Sequence, residues 1–455
     1  RGNESPLNLN TCRAMNSGSP TNGRANGTPS ARTTLEHPAQ TERSKLVEAL
    51  SSGELSLHKL PQELSAREAA SIRREALEHA AGTETEGLGH YSFDADVVSN
   101  RNCENLIGVA QVPMGAVGPV PVRGNYIDDD RYVPLATTEG ALIASVNRGC
   151  ATLRAAGGAI VHVEDVGMTR APVFRTSGIR ESTAFTNWVA DHEEEIRTQV
   201  EATSRYLKLK DIRPFSLGST VFLRFRFSTG DAMGMNMATL ACNRVIQDLI
   251  VPETDVEFVS LSGNYCVDKK PSAVNVQEGR GKRIFAEVEL SEEVLKRYLK
   301  TNAEDLTEVQ YRKNMIGSTA AGSMGMNAHY ANMVAAFFVA TGQDIAQVVE
   351  GALGTTCIEK RGDGGVYISI FMPDVPLGAV GGGTALQTQS DALSLMGVSL
   401  DPDEPGAAAI QVAELLGATV LAGELSLMGA LSSNHLARAH NELGRPTPPS
   451  NGHSA

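Results

Sequence analysis

Residues 407–435 limit the fold of this 455-residue chain more than any other stretch. Pro405 and Gly406 mark the start of a helical segment, and apolar side chains then recur on every side of its axis. Such a helix has no face to give to water, so other elements must enclose it. Residues 328–341 have the same character over a shorter length. Hydrophobic residues are 41% of the chain and charged residues 20%, which supplies enough apolar material for a large core. The fully apolar run 333–340 falls far short of the roughly 20 residues that span a bilayer. No secretory signal is visible at the N-terminus, so no membrane association is expected and the location expected is cytoplasmic.

Residues 172–258 carry a different pattern. Val173 to Arg175 is a candidate short strand, and Phe185, Trp188, His192, Ile196 and Gln199 fall along one helical stripe. Residues 221–227 alternate, with Leu223, Phe225 and Phe227 on one face and Arg224 and Arg226 on the other. A second helix is expected over 235–250 and a further strand over 256–261. This order predicts a small split βαβ unit of ferredoxin-like type. The fold class expected is α+β, with helix-rich sequence on both sides of the small unit.

Residues 45–90 form an N-terminal helical segment, in which Ser65 and Glu68 make a capping box. Residues 1–44 and 446–455 hold too few large apolar side chains to offset their ordering entropy, and both are expected to be disordered. The formal net charge is −13 and no basic stripe appears, which argues against a nucleic-acid partner. The six cysteines, Cys12, Cys103, Cys150, Cys242, Cys266 and Cys357, form no CxxC pair. They are read as reduced thiols, and no Cys or His clustering calls for a metal.

Four segments interrupt apolar surroundings with ionisable groups. Glu139, in Thr-Thr-Glu-Gly ahead of the apolar run 141–146, is either a helix N-terminal carboxylate or a general acid. The run 262–271 carries Asp268, Lys269 and Lys270 and is either a solvated turn or the holder of a lysine that stabilises an oxyanion. Asp344 ends an apolar helix, where it either meets water or tunes a neighbouring Lys and Glu. His435 and His440 are five apart, about 140° around a helix, and cannot form a one-faced metal pair. Two glycine-rich pieces, 230–237 and 380–384, offer backbone amides or close approach. Neither is the GxGxxG of a Rossmann fold.

Taken together these motifs resemble the catalytic region of class I 3-hydroxy-3-methylglutaryl-coenzyme A reductases over roughly residues 100–440. Further carriers are Glu104-Asn105-Leu106-Ile107-Gly108 and Pro113-Met114-Gly115-Ala116-Val117-Gly118-Pro119. The form resembled lacks the membrane region of the animal and fungal enzymes. The resemblance implies a large domain, 91–171 and 259–445, that binds substrate and coenzyme A. Into it is inserted the small NADP-binding domain, 172–258.

The resemblance also implies roles. Lys269 would stabilise the carbonyl oxygen, Glu139 would donate a proton, Asp344 would tune both, and His440 would protonate the departing thiolate. Ser145, Asn147, Arg148 and Lys300 match coenzyme A contacts. Arg170, Ser262, Asp268, Lys270, Lys313 and Asn332 match contacts to the hydroxymethylglutaryl group. Asp231, Met233, Gly234, Met235 and Asn236, with Val380, Gly381, Gly382, Gly383 and Thr384, match cofactor contacts. Ser204 and Arg205 match the pair at an adenosine 2′-phosphate, which favours NADPH, since guanidinium suits phosphate. The implied reaction uses two NADPH per turnover and passes through mevaldehyde to mevalonate, in isoprenoid biosynthesis. A homodimer or homotetramer with sites between subunits is implied, with residues 104–108 at the contact.

The sequence departs from the family pattern after His440, where Arg445 and Pro446 stand in place of an Arg-Ser pair. Inhibitory phosphorylation at that serine is therefore not expected. Ser432-Ser433-Asn434 also replaces a common Ala-Ala-Gly. Two other activities compete: an NAD-linked enzyme that degrades mevalonate, and an inactive coenzyme A-binding protein. The retained Arg205 argues against the first, and the presence of all four catalytic residues argues against the second.

Overall fold

The structure is a computed structural model, which describes residues 38–433. The expectations for residues 1–37 and 434–455, including His435, His440, Arg445 and Pro446, lie outside the described residues. The first helix, Pro38–Ser51, begins seven residues before the 45 expected. The second, Ala66–Ala81, opens on the expected capping box, with Ser65 N–H donating to Glu68 Oε2 at 3.1 Å. These two helices close a small cluster around Val47, Leu50, Ile72 and Ala76.

Ten strands follow: β1 (Met114–Arg123), β2 (Asp130–Ala136), β3 (Ala159–Arg170), β4 (Val173–Arg175), β5 (Lys208–Leu217), β6 (Thr220–Ser228), β7 (Glu257–Ser260), β8 (Arg280–Leu290), β9 (Thr355–Lys360) and β10 (Val366–Val375). They run in the order β7-β4-β6-β3-β8-β10-β9, with β5 on β6, and with β1 parallel to β3 and antiparallel to β2. Strand β3 is long enough to serve both halves. Residues 160–167 pair with β8, and 168–170 pair with β6.

In the small unit, β4, β5, β6 and β7 alternate with helices as βαββαβ and lie in the spatial order β7-β4-β6-β5. The ferredoxin-like expectation therefore holds, and the chain is α+β. Phe225 and Phe227 are fully buried against Phe174, Phe185 and Val189. The opposite face of β6 is not simply wet. Arg224 is buried and ion-paired with Glu278. The predicted single stripe through His192 is two helices, Ile179–Asp191 and Glu193–Glu201, because the backbone turns at His192. The helix expected over 235–250 runs as Met235–Val245 and then as a wider π turn, Ile246–Ile250.

In the large unit, Ala407–Ser432 forms the central helix, with Ala418, Val420, Leu421 and Ala422 fully buried. It packs on β3, β8 and the helices Leu142–Ala155 and Tyr330–Thr341. By length and composition it could cross a bilayer, but most of it is enclosed by the protein. Small residues allow that enclosure. A Cβ at Gly149 would sit 1.8 Å from Ala422 O. Two buried acids on this helix bind backbone instead of water. Glu414 accepts the Asn125 and Ile127 amides at 2.7 and 2.9 Å, and Glu424 accepts those of Ala328 and His329 at 2.9 and 2.8 Å.

Candidate active site

The polar run 262–271 leaves β7 and turns back across the seam between the two units. Gly263 N–H donates to Ala171 O at 2.8 Å, which sets Ser262 beside the end of β3, where Arg170 lies. Arg170 Nε is buried and meets no protein acceptor among the described residues. Three residues of the run lie in the left-handed region: Asn264 at φ 62°, Val267 at 53° and Lys269 at 60°. A β-branched residue there is a true outlier, and such strain is held only where surroundings over-determine it. The surroundings do so here. Thr169 Oγ1 donates to Cys266 O at 2.9 Å, and Lys269 N–H donates to Glu350 Oε1 at 3.2 Å.

Lys269 Nζ is 2.8 Å from Asp344 Oδ2. Asp344 caps the turn Ile345–Gln347, its Oδ1 accepting the Ala346 amide at 3.1 Å, so the carboxylate is fixed before the lysine arrives. The Asp344 hydrogen bond holds the Lys269 ammonium above its usual range, against a smaller opposing effect of burial. Both side chains remain partly open to solvent. Lys270 Nζ stays exposed and donates to Asp268 O at 3.1 Å. Asp268 Oδ1 meets Arg280 Nη2 at 2.8 Å. One chain thus gathers Arg170, Ser262, Asp268, Lys269, Lys270 and Asp344.

The second predicted set gathers elsewhere, along the Ala407–Ser432 helix. Ser145 Oγ lies 2.9 Å from Ser426 Oγ, and Arg148 Nη2 donates to Ser426 O at 2.8 Å. Asn147 Oδ1 accepts the Gly118 amide at 2.8 Å. His329 bridges Gly423 O, at 2.9 Å from Nε2, and Asn332 Nδ2, at 3.4 Å from Nδ1. Lys313 Nζ reaches Ala328 O at 3.5 Å. Lys300 is a left-handed cap whose Nζ meets Arg297 O at 2.8 Å, and its neighbour Thr301 receives Ser432 Oγ at 2.7 Å. Glu139 precedes the Leu142–Ala155 helix, and its carboxylate is exposed. Within one chain it makes no hydrogen bond or ion pair with Lys269 or Asp344, so the expected carboxyl–ammonium contact is not formed by a single copy.

The two glycine-rich pieces do come together. The Ala379 amide donates to Asp231 O at 2.8 Å, and Ala232 bridges Val380. Asp231 Oδ1 accepts the Ala409 amide at 3.1 Å, tying both to the central helix. Gly234, at φ 89°, starts the Met235–Val245 helix with no side-chain cap on its first amides. Added Cβ atoms on Gly381 and Gly382 would meet nothing within 4 Å, so this cradle is open. Gly383 instead packs on Gly342, two residues before Asp344, with Thr384 buried beside it. Met233 and Met235 point back to Gln347 and Arg280, and Asn236 is exposed on the first turn. Ser204 Oγ lies 3.6 Å from Met237 Sδ, and Arg205 stacks over Tyr206 at 4.5 Å. A phosphate-bearing nucleotide fits this arrangement of free amides, open glycines and a nearby guanidinium.

Sequence reasoning missed the buried polar groups under the turn: Arg280, Glu350, Asp374 and Asn275. The available signal was Asp374 inside the apolar strand β10, where an acid is costly unless bonded. It also missed His192, Glu195 and Glu253, whose ligand-type atoms lie within 4.8 Å of one another. His192 caps the Glu193–Glu201 helix that carries Glu195, Glu253 lies on Val251–Glu253, and both carboxylates are exposed.

Fold and cleft put the chain in the class of α+β proteins that join a helix-walled large unit to a ferredoxin-like small one. The class II 3-hydroxy-3-methylglutaryl-CoA reductase of Streptococcus pneumoniae, solved bound to NADPH, shares this fold at TM-score 0.57 and 16% identity. The match covers 85% of this chain and 96% of that one. A family profile described as hydroxymethylglutaryl-coenzyme A reductase matches residues 69–445. The 3-hydroxy-3-methylglutaryl-coenzyme A reductase of Methanothermobacter thermautotrophicus is 49% identical over 88% of this chain and 99% of its own. That of Haloferax volcanii is 46% identical over 89% and 100%. The chain belongs to the hydroxymethylglutaryl-coenzyme A reductase family.

Proposed function

We propose that this reductase is a biosynthetic, NADPH-dependent enzyme of class I type. It reduces the thioester of (S)-HMG-CoA to the primary alcohol of (R)-mevalonate, within the mevalonate pathway. The balance is one thioester, two NADPH and two protons in, and mevalonate, free coenzyme A and two NADP⁺ out. The observation that carries this reading is the Lys269–Asp344 pair at 2.8 Å on a strained turn. The bound nicotinamide supplies hydride. Lys269, kept cationic by Asp344, neutralises the charge that develops on the carbonyl oxygen in each reduction step. Asp268, Lys270, Ser262 and Arg170 surround the same turn and suit the polar acid end of the substrate. The class I assignment rests on the sequence motifs alone.

Glu139, Lys313, Asn332 and the coenzyme A segment 145–151 belong to a different part of the same chain. A second copy that brings its Glu139 to the Lys269–Asp344 pair completes the constellation, which makes the working unit a homo-oligomer. His440 acts on the departing thiolate, for which an imidazole titrating near neutrality is suited. Arg205 beside Ser204 selects the 2′-phosphate. The location proposed is the cytoplasm.

The test is cofactor oxidation by the full chain with HMG-CoA and either nicotinamide. The reading expects about two NADPH oxidised for each mevalonate formed, and a lower specificity constant for NADH. Acyl-coenzyme A binding with no cofactor oxidation would replace it with the inactive binding protein.

A further inference from the structure

Beneath the Lys269 turn lies a group of buried charges that the reductase reading leaves without a task. Arg280, fully buried at the start of β8, donates from Nη1 to Glu350 Oε1 at 2.8 Å and from Nη2 to Asp268 Oδ1 at 2.8 Å. Its Nε donates to Thr169 Oγ1 at 3.0 Å. Asp374, also fully buried, accepts on Oδ2 from Asn275 Nδ2, while Arg224 Nη2 holds Asn275 Oδ1 at 3.0 Å. The guanidinium therefore ion-pairs with Asp268 from the turn and Glu350 from the helix Val348–Gly351, while Asp374 from β10 accepts from the neutral Asn275 and touches no cation among the described residues. An ionised Asp374 would therefore be a fully buried anion with no cation in contact, which is costly.

Two oxygens in this group meet no N–H or O–H donor: Glu350 Oε2 and Asp374 Oδ1. The two carboxyl groups nevertheless lie close enough to each other for one hydrogen bond. Ionised carboxylates only accept, so that bond requires a proton between them. We propose that Asp374 is a neutral acid that donates to Glu350, and that the Glu350 carboxylate is a positioning residue for Lys269. Burial, with the charge of Glu350 next, drives Asp374 well above the carboxylate range. Glu350 rises less, because Arg280 opposes the effect of burial. Glu350 accepts from the Arg280 guanidinium and the Lys269 amide, which favour its ionised form, whereas Asp374 has only the neutral Asn275, so the proton sits on Asp374.

The consequence reaches the turn through one backbone bond. Glu350 Oε1 accepts the Lys269 amide at 3.2 Å, and that amide belongs to a residue at φ 60°. Left-handed backbone costs about 1–3 kcal/mol at a residue with a side chain, so it needs a fixed acceptor. With Oε2 held by Asp374 and Oε1 by Arg280, Glu350 cannot rotate away. Nζ is then launched at Asp344 from an invariant origin. The inference rests on the reading of Lys269 as the catalytic cation and adds the support beneath it.

The test uses the full-length enzyme and two variants. The infrared difference spectrum of wild type minus Asp374→Asn should show the carbonyl band of a protonated carboxylic acid, lost in the variant. Asn keeps both bonds, with its oxygen accepting from Asn275 and its amide donating to Glu350, so its kcat should stay within about threefold of wild type. Asp374→Leu removes the donor. Its kcat should fall at least about tenfold, while KM for NADPH and HMG-CoA stays within about twofold, as small misplacements cost rate more than binding. Absence of the band overturns the shared proton. Wild-type kcat in Asp374→Leu overturns the positioning role. Should that variant fail to fold, Asp374→Asn decides alone, since a tenfold kcat loss there refutes the proposal. Normal turnover by Lys269→Ala would instead remove the catalytic reading while leaving the band in place.

Discussion

Lys269 Nζ and Asp344 Oδ2 meet at 2.8 Å although 75 residues separate them, one on the strained turn after β7 and the other capping the turn after Tyr330–Thr341. Asp344→Asn keeps the size and the cap but removes the charge. We expect kcat to fall by about 10²-fold or more, with KM for HMG-CoA little changed. Steady-state kinetics checks this, and an equal loss in KM alone would make Asp344 a binding residue.

The separation of Glu139 from that pair within one chain leads to a complementation prediction. Glu139→Ala and Lys269→Ala should each be inactive as homo-oligomers. Random pairing of the two should restore about a quarter of the wild-type sites, because half the pairs are mixed and each mixed pair rebuilds one site of two. Tagged co-expression measures it, and the purified mixed species should then show about half the wild-type activity. An inactive mixed species would mean that both residues act within one copy.

Arg205 stacks on Tyr206, whose ring borders Gly230 of the first glycine-rich piece. Removing it as Arg205→Ala should lower kcat/KM for NADPH by about 10- to 100-fold, the value of a charge-assisted bond to phosphate. The NADH value should stay near its starting point. Equal losses with both cofactors would show that Arg205 does not read the 2′-phosphate.

Gly342 and Gly383 approach so closely that a Cβ on Gly342 would lie 2.3 Å from Gly383 O, and its φ is 71°. Gly342→Ala meets rigid backbone as well as an unfavourable conformation. A loss of about 2–4 kcal/mol in unfolding free energy is expected, seen as a lower denaturant midpoint. An unchanged midpoint would mean that the loop 380–384 yields freely.

The buried acid at 374 makes a signed pH prediction. A carboxyl raised in the fold keeps a proton that the unfolded chain releases, so its contribution is fully present below the unfolded value near 3.8. It is lost as pH climbs towards the folded value. Wild type should therefore lose stability relative to Asp374→Asn as pH rises from about 4, by at most about 1.4 kcal/mol per pH unit. Thermal melts of both proteins across that range decide it, and parallel curves would count against a protonated Asp374.

Much of this was legible in the residues. The alternation of Leu223, Phe225 and Phe227 marked the inner face of β6, and Val173 to Arg175 was bounded as the strand found. Period-two and period-3.6 patterns are local, so one sequence displays them. The break at His192 was not legible, because two short helices share one stripe until the backbone turns. Nor was the burial of Arg224 or Arg280, whose partners lie 54 and 70 residues away. Charge compensation across such distances leaves no periodic trace.

Sequence alone determined the fold class, the enclosed helix and the ionisable and glycine-rich segments that interrupt apolar surroundings, since those depend on residue type and short-range spacing. Tertiary structure decided which of them touch. It brought Lys269 to Asp344, set two glycine segments side by side and kept Glu139 on another part of the chain. The reason is physical. A contact between distant residues depends on how β3, β8 and β10 register around the Ala407–Ser432 helix, and that register is a property of the packed core as a whole.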